Sequence, residues 1–89
     1  MPRRERWSIL ADILRATREL NESDPAHAKI TTLATRSGLP HDRLQRYLEE
    51  LAAAGLVTRD RMPQLTERGR AVLAHYDALR EVMDRFGLE

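Results

Sequence analysis

Ile30-Thr31-Thr32-Leu33-Ala34-Thr35-Arg36-Ser37-Gly38-Leu39, then Pro40, then His41-Asp42-Arg43-Leu44-Gln45-Arg46-Tyr47-Leu48, reads as two helices joined by a sharp corner. Thr31 is a good N-cap, and a helix of about two turns follows it to Ser37. Leu33 and Ala34 face inward on that helix. Gly38 ends it in the left-handed conformation that only glycine adopts cheaply. Leu39 points back into the core, and Pro40 opens a longer helix, His41 to Ala54, capped by Gly55. Its apolar face is Leu44, Leu48 and Leu51, with Tyr47 beside it. Leu33, Ala34, Leu44 and Leu48 bury against one another where the two helices cross steeply. Ala34 is small because the second helix passes close over it.

The flanking chain extends this unit in both directions. Upstream, residues 4–21 hold no Gly or Pro, and Trp7, Leu10, Ile13, Leu14 and Thr17 follow the spacing of one helix face, with Asn21 as the stop. Residues 22–27 form a polar loop, and Ala28 to Ile30 are expected as a short strand. Downstream, Leu56 to Asp60 is a β-compatible run, Arg61-Met62-Pro63 is a tight turn, and Gln64-Leu65 returns as a second short strand. Thr66 caps the last helix, with Glu67 in its first turn, and that helix runs to about Phe86. The expected order is helix, short strand, short helix, glycine turn, helix, small β-hairpin, long C-terminal helix, a mainly α fold.

The whole chain has 89 residues, 42% of them hydrophobic and 33% charged, which suits one small folded domain. It lacks cysteine, which excludes disulfides, thiolate metal sites and cysteine nucleophiles, and fits a reducing compartment. No apolar run approaches the roughly 20 residues of a membrane span, and the basic N-terminus lacks the apolar stretch of a signal peptide. A soluble intracellular protein is expected, cytoplasmic and nucleoid-associated. Net charge is only +1, so any nucleic-acid binding must rest on a local patch. All basic residues except Lys29 are arginine, the side chain that forks onto phosphates and guanine edges, although a biased genomic composition produces the same count.

The chain resembles the winged helix-turn-helix domains. It is most similar to the small archaeal winged-helix DNA-binding proteins that dimerise through a long C-terminal helix as an antiparallel coiled coil. The likeness is carried by Ile9 to Leu14, Leu39, Arg46 to Leu51, Gly55-Leu56-Val57, and Leu65 to Gly69. The wing segment is barely more than a turn, and the last helix is short beside those relatives. The resemblance implies sequence-dependent duplex DNA binding, with helix 41–54 in the major groove, by a small transcriptional regulator or chromatin-associated protein. On that helix His41, Arg43, Gln45 and Arg46 are candidates for base or groove contacts. Thr31, Thr32 and Arg36 on the preceding helix, and Arg59 and Arg61 by the wing, are candidates for phosphate. Glu49 and Glu50 are expected to tilt away from the DNA backbone. The alternative is an adaptor that turns the same face to a protein partner.

Val72, Tyr76, Leu79, Met83 and Phe86 are spaced four, three, four, three, which is a heptad seam. Its early part belongs to the domain core, near the wing and the first helix. Tyr76, Leu79, Val82, Met83 and Phe86 are expected to form a homodimer surface, with Trp7 beside it. The alternative is that the last helix folds back onto the first helix of its own chain. Residues 1–68 then form the winged core, and 67–89 the dimerisation element. Chemistry is not expected. His27, His41 and His75 lack metal-ligand spacing, Glu49 and Glu50 are adjacent on a helix and diverge, and no phosphate loop or nucleophile motif occurs. The chain is therefore read as a non-enzyme with no cofactor or metal.

Overall fold

A computed structural model describes residues 6–23, 25–26 and 28–88 of the chain. Four helices make the fold: α1 (Arg6–Ser23), α2 (Ile30–Ser37), α3 (His41–Ala53) and α4 (Glu67–Arg85). Helix α1 packs on both α2 and α4, and α2 packs on α3. The core is a single aliphatic cluster drawn from every helix and from the segment between α3 and α4. Leu33, Leu44 and Leu73 are each 0% exposed, and each such burial is worth roughly 1.5–3 kcal/mol.

The α2–α3 corner follows the expectation. Gly38 sits at φ 68°, its N–H donates to the Thr35 carbonyl, and the Leu39 N–H donates to Ala34 at 3.1 Å. Leu39 is buried, as its place at the corner requires. Ala34 is half-buried, while Leu33, Leu44 and Leu48 carry the crossing. The same closing pattern ends α3 at Gly55, where the Leu56 N–H reaches back to Leu51 at 2.9 Å.

Other expectations need correction. Ala28–Ile30 is not a strand. Lys29 is extended but pairs with no strand, and its carbonyl accepts from the Thr32 and Leu33 N–H groups. Lys29, rather than Thr31, is therefore the residue at the N-cap, and Thr31 lies inside the first turn of α2. Helix α1 continues past Asn21 to Ser23; its proposed beginning at residue 4 lies outside the described residues.

The small β-hairpin is absent among the described residues and is replaced by one isolated antiparallel bridge, Val57 with Leu65. Thr58 N–H donates to Gln64 at 2.9 Å and Thr66 N–H to Leu56 at 3.1 Å, and there the ladder stops. One local diversion ends it. The Gln64 N–H donates to the Thr58 hydroxyl at 2.9 Å, and that hydroxyl donates to Asp60 at 2.8 Å. The Leu65 N–H, which points away from Val57 in this bridge, donates to Asn21 Oδ1 on α1 at 2.8 Å, while Asn21 Nδ2 donates to the Pro63 carbonyl at 3.2 Å. Asn21 thus clips the wing loop to the first helix.

Thr66 caps α4 as expected, its hydroxyl accepting from the Gly69 N–H at 3.0 Å and donating to the Gly55 carbonyl at 2.7 Å. Only Gly69 and Leu73 of α4 are fully buried. Arg15 of α1 pairs with Asp77 of α4 and, at 3.2 Å, with Asp12, which ties the two helices at their exposed edge.

Candidate nucleic-acid interface

Helix α3 is held by its leucines, with Tyr47 and Ala52 packed beside them, and its outer face is exposed. The buried side is Leu44, Leu48 and Leu51. At about 100° per residue, Asp42, Arg46 and Glu49 point most directly outward. Arg43 and Gln45 lie about 160° apart, on opposite edges of the helix. The candidate residues therefore form two neighbouring patches with Arg46 between them.

The wing-side edge is a groove of about 200 Å³ bounded by Gln45 and Glu49 on α3 and by Arg59, Asp60 and Arg61 on the wing loop. Gln45 is half-buried and both arginines are exposed. His41 stands one turn before Gln45, their side-chain nitrogens 3.5 Å apart. Three of the expected contacts, Gln45, Arg59 and Arg61, thus meet at one groove although the chain separates them by more than a dozen residues.

The opposite edge is a depression of about 410 Å³ bounded by Arg6, Arg43, Arg46, Tyr47, Glu49 and Glu50. Arg6, at the start of α1, was absent from the sequence-derived set. Its guanidinium lies 2.7 Å from Glu50 Oε1. That hydrogen bond and the charge of Glu50 raise the Arg6 pKa above its ordinary value. Glu50 is thereby paired with a helix remote in sequence, and a third arginine joins Arg43 and Arg46.

The phosphate candidates on α2 are divided. Thr31 is exposed and Thr32 half-buried. Thr31 gives its carbonyl to the Thr35 hydroxyl at 3.0 Å. Arg36 lies elsewhere, bordering an open depression with Arg18, Glu19 and Arg70 of α1 and α4, and its Nη1 is 3.5 Å from Glu19 Oε2. No α3 residue borders that depression.

The charges of the α3–wing face nearly cancel. Residues 41–61 carry four arginines (Arg43, Arg46, Arg59, Arg61) against four carboxylates (Asp42, Glu49, Glu50, Asp60). Among the described residues no group of three or more potential ligands is placed to hold a metal ion, and no helix is long and apolar enough to cross a membrane. His27 lies outside the described residues.

Along α4 the late seam is open. Leu79 is 59% exposed, Phe86 69% and Val82 43%, while Tyr76 and Met83 are half-buried. Trp7, 61% exposed, borders a small apolar cleft between α1 and α4 together with Val72 and Tyr76.

A sequence model of the winged helix-turn-helix family matches residues 3–84. No curated protein and no solved structure matches the chain.

Proposed function

The chain belongs to the winged helix-turn-helix family, and we propose that it binds duplex DNA in a sequence-dependent manner with α3 in the major groove. The observation that carries this reading is the exposed outer face of α3, which sets Gln45 beside Arg59 and Arg61 of the wing loop on one edge and Arg43 and Arg46 beside Arg6 on the other. Arg46 and Gln45 have the geometry for guanine and adenine edges, and the wing arginines suit phosphates on one flank. His41, Thr31 and Thr32 are proposed as further groove or backbone contacts. Arg36 is proposed as a phosphate contact only where its pairing with Glu19 yields to DNA. The biological role proposed is that of a small transcriptional regulator or a chromatin-associated protein, cytoplasmic and nucleoid-associated, without catalysis or a cofactor.

The salt dependence of binding tests this directly. Affinity for duplex DNA, measured by fluorescence anisotropy, is expected to fall steeply as salt rises, because phosphate contacts release counterions. Arg61→Ala is expected to weaken binding about equally on all sequences and to lower the slope of log affinity against log salt by about one. Absence of duplex affinity at low salt and high micromolar protein would end the reading. The even charge balance of residues 41–61 is the observation that favours a second reading, in which the same face docks on a protein partner.

The proposed assembly is a homodimer through the C-terminal part of α4, residues 1–68 being the winged core and 67–89 the dimerisation element. Tyr76, Leu79, Val82, Met83 and Phe86 supply the seam, and Trp7 stands beside its start. Exposed apolar side chains at heptad spacing support this pairing. Two copies present two reading helices to a pseudo-palindromic site. Light scattering is expected to give a dimer mass for the wild type and a monomer mass for Leu79→Asp combined with Met83→Asp. A monomer mass for both would dispose of the dimer.

A further inference from the structure

Three carboxylates line the outer side of α3, and their environments differ. Glu50 pairs with Arg6. Asp42 and Glu49 have no ion pair among the described residues. Glu49 is the more pointed case, because it borders both the wing-side groove and the Arg46 depression. It stands on the outward stripe one turn beyond Arg46 and Gln45, with Asp42 about 10.5 Å back along the axis.

A carboxylate in that place has a restricted set of acceptable neighbours in a DNA groove. Phosphate repels it, and at a screening length of about 8 Å in physiological salt only close phosphates count. Guanine offers only acceptors in the major groove, and thymine an acceptor and a methyl group. Adenine sets its amino donor beside the N7 acceptor. Cytosine alone presents an amino donor with no major-groove acceptor on the same base. The near-cancelled charge of residues 41–61 adds to this, since weak general attraction leaves more of the affinity to matched base contacts.

Resting on the DNA-binding reading above, we propose that Glu49 is a specificity-determining residue, which favours cytosine at the base pair it faces and penalises arbitrary sequence. Glu49 is exposed, so its variants keep the fold. The test begins with a site enriched by the wild-type protein from a random duplex pool. Anisotropy then compares that site, versions with each G·C pair replaced by A·T, and an arbitrary duplex, for wild type, Glu49→Gln and Glu49→Ala. Both variants are expected to bind the arbitrary duplex about three- to tenfold more tightly, and Glu49→Ala to lose its preference at one cytosine position. Duplex binding by all three proteins with an unchanged ratio of enriched to arbitrary affinity overturns the role of Glu49 alone. No binding by the wild type to any duplex overturns the DNA reading and this assignment with it.

Discussion

Gly69→Ala is expected to destabilise the protein by roughly 3 kcal/mol, the upper range for forcing an extra group into a packed core. Gly69 is buried in the first turn of α4. A Cβ built there would lie 2.2 Å from the Leu56 carbonyl oxygen and 2.6 Å from Leu65 Cδ1. The oxygen is backbone and is fixed, since Leu56 also accepts the Thr66 N–H. In an open helix the same change would stabilise by up to about 1 kcal/mol through helix propensity, so the sign of the effect reports the close approach. For a domain of this size each kcal/mol shifts Tm by about 4–8 °C, which places the expected loss above roughly 12 °C. A Tm equal to or above that of the wild type would mean that the α3–α4 connection moves aside freely.

The second large effect falls on function. Arg43→Ala combined with Arg46→Ala is expected to weaken binding to a preferred duplex by about 2–4 kcal/mol, roughly thirty- to a thousandfold. Both side chains are exposed and make no core contact, so circular dichroism and Tm should stay near wild type. Arg46 points straight outward and Arg43 leans toward the Arg6 edge, so Arg46→Ala alone should account for the larger share. Unchanged affinity in the double variant would remove α3 from the interface even though the fold is right.

Most of what local chemistry dictates was legible in the sequence. The Gly38 corner, the inward Leu33 and Leu44, and the Thr66 cap depend on neighbours within a few residues, and each appears where the spacing predicts. Some failures are local, as where Lys29 takes the cap from Thr31 and the Thr58 hydroxyl takes the Gln64 N–H, and others depend on partners remote in the chain. Ala28–Ile30 has strand-compatible residues but no strand beside it. The wing runs have the composition of a hairpin, yet the Gln64 N–H turns to the Thr58 hydroxyl, and Asn21, 44 residues before Leu65, clips the loop to α1. Asn21 reads from sequence as a helix stop, whereas its amide is a clip between α1 and the wing. Gly69 appears in the sequence only as the end of the Leu65–Gly69 run, and nothing local announces that Leu56 presses against it.

The candidate site shows the same division. Periodicity correctly frees the outer face of α3, because it follows from which leucines are buried. It does not reveal that Arg43 and Gln45 serve different edges with different companions. Arg36 had the right charge on the right helix, but α2 turns it toward Glu19 of α1. Arg6 was hidden by distance, and only its pairing with Glu50 brings it to α3.

The face formed by α3 and the wing loop is the one proposed to meet DNA. Amide chemical-shift mapping of the isotope-labelled protein during titration with a short duplex tests it most directly. Perturbations are expected to concentrate at residues 41–49 and 58–62, with weaker ones at Thr31 and Thr32, and little change at the exposed end of α4. Perturbations confined to α4 or to the Arg18–Arg36–Arg70 depression, with α3 unmoved, would contradict it.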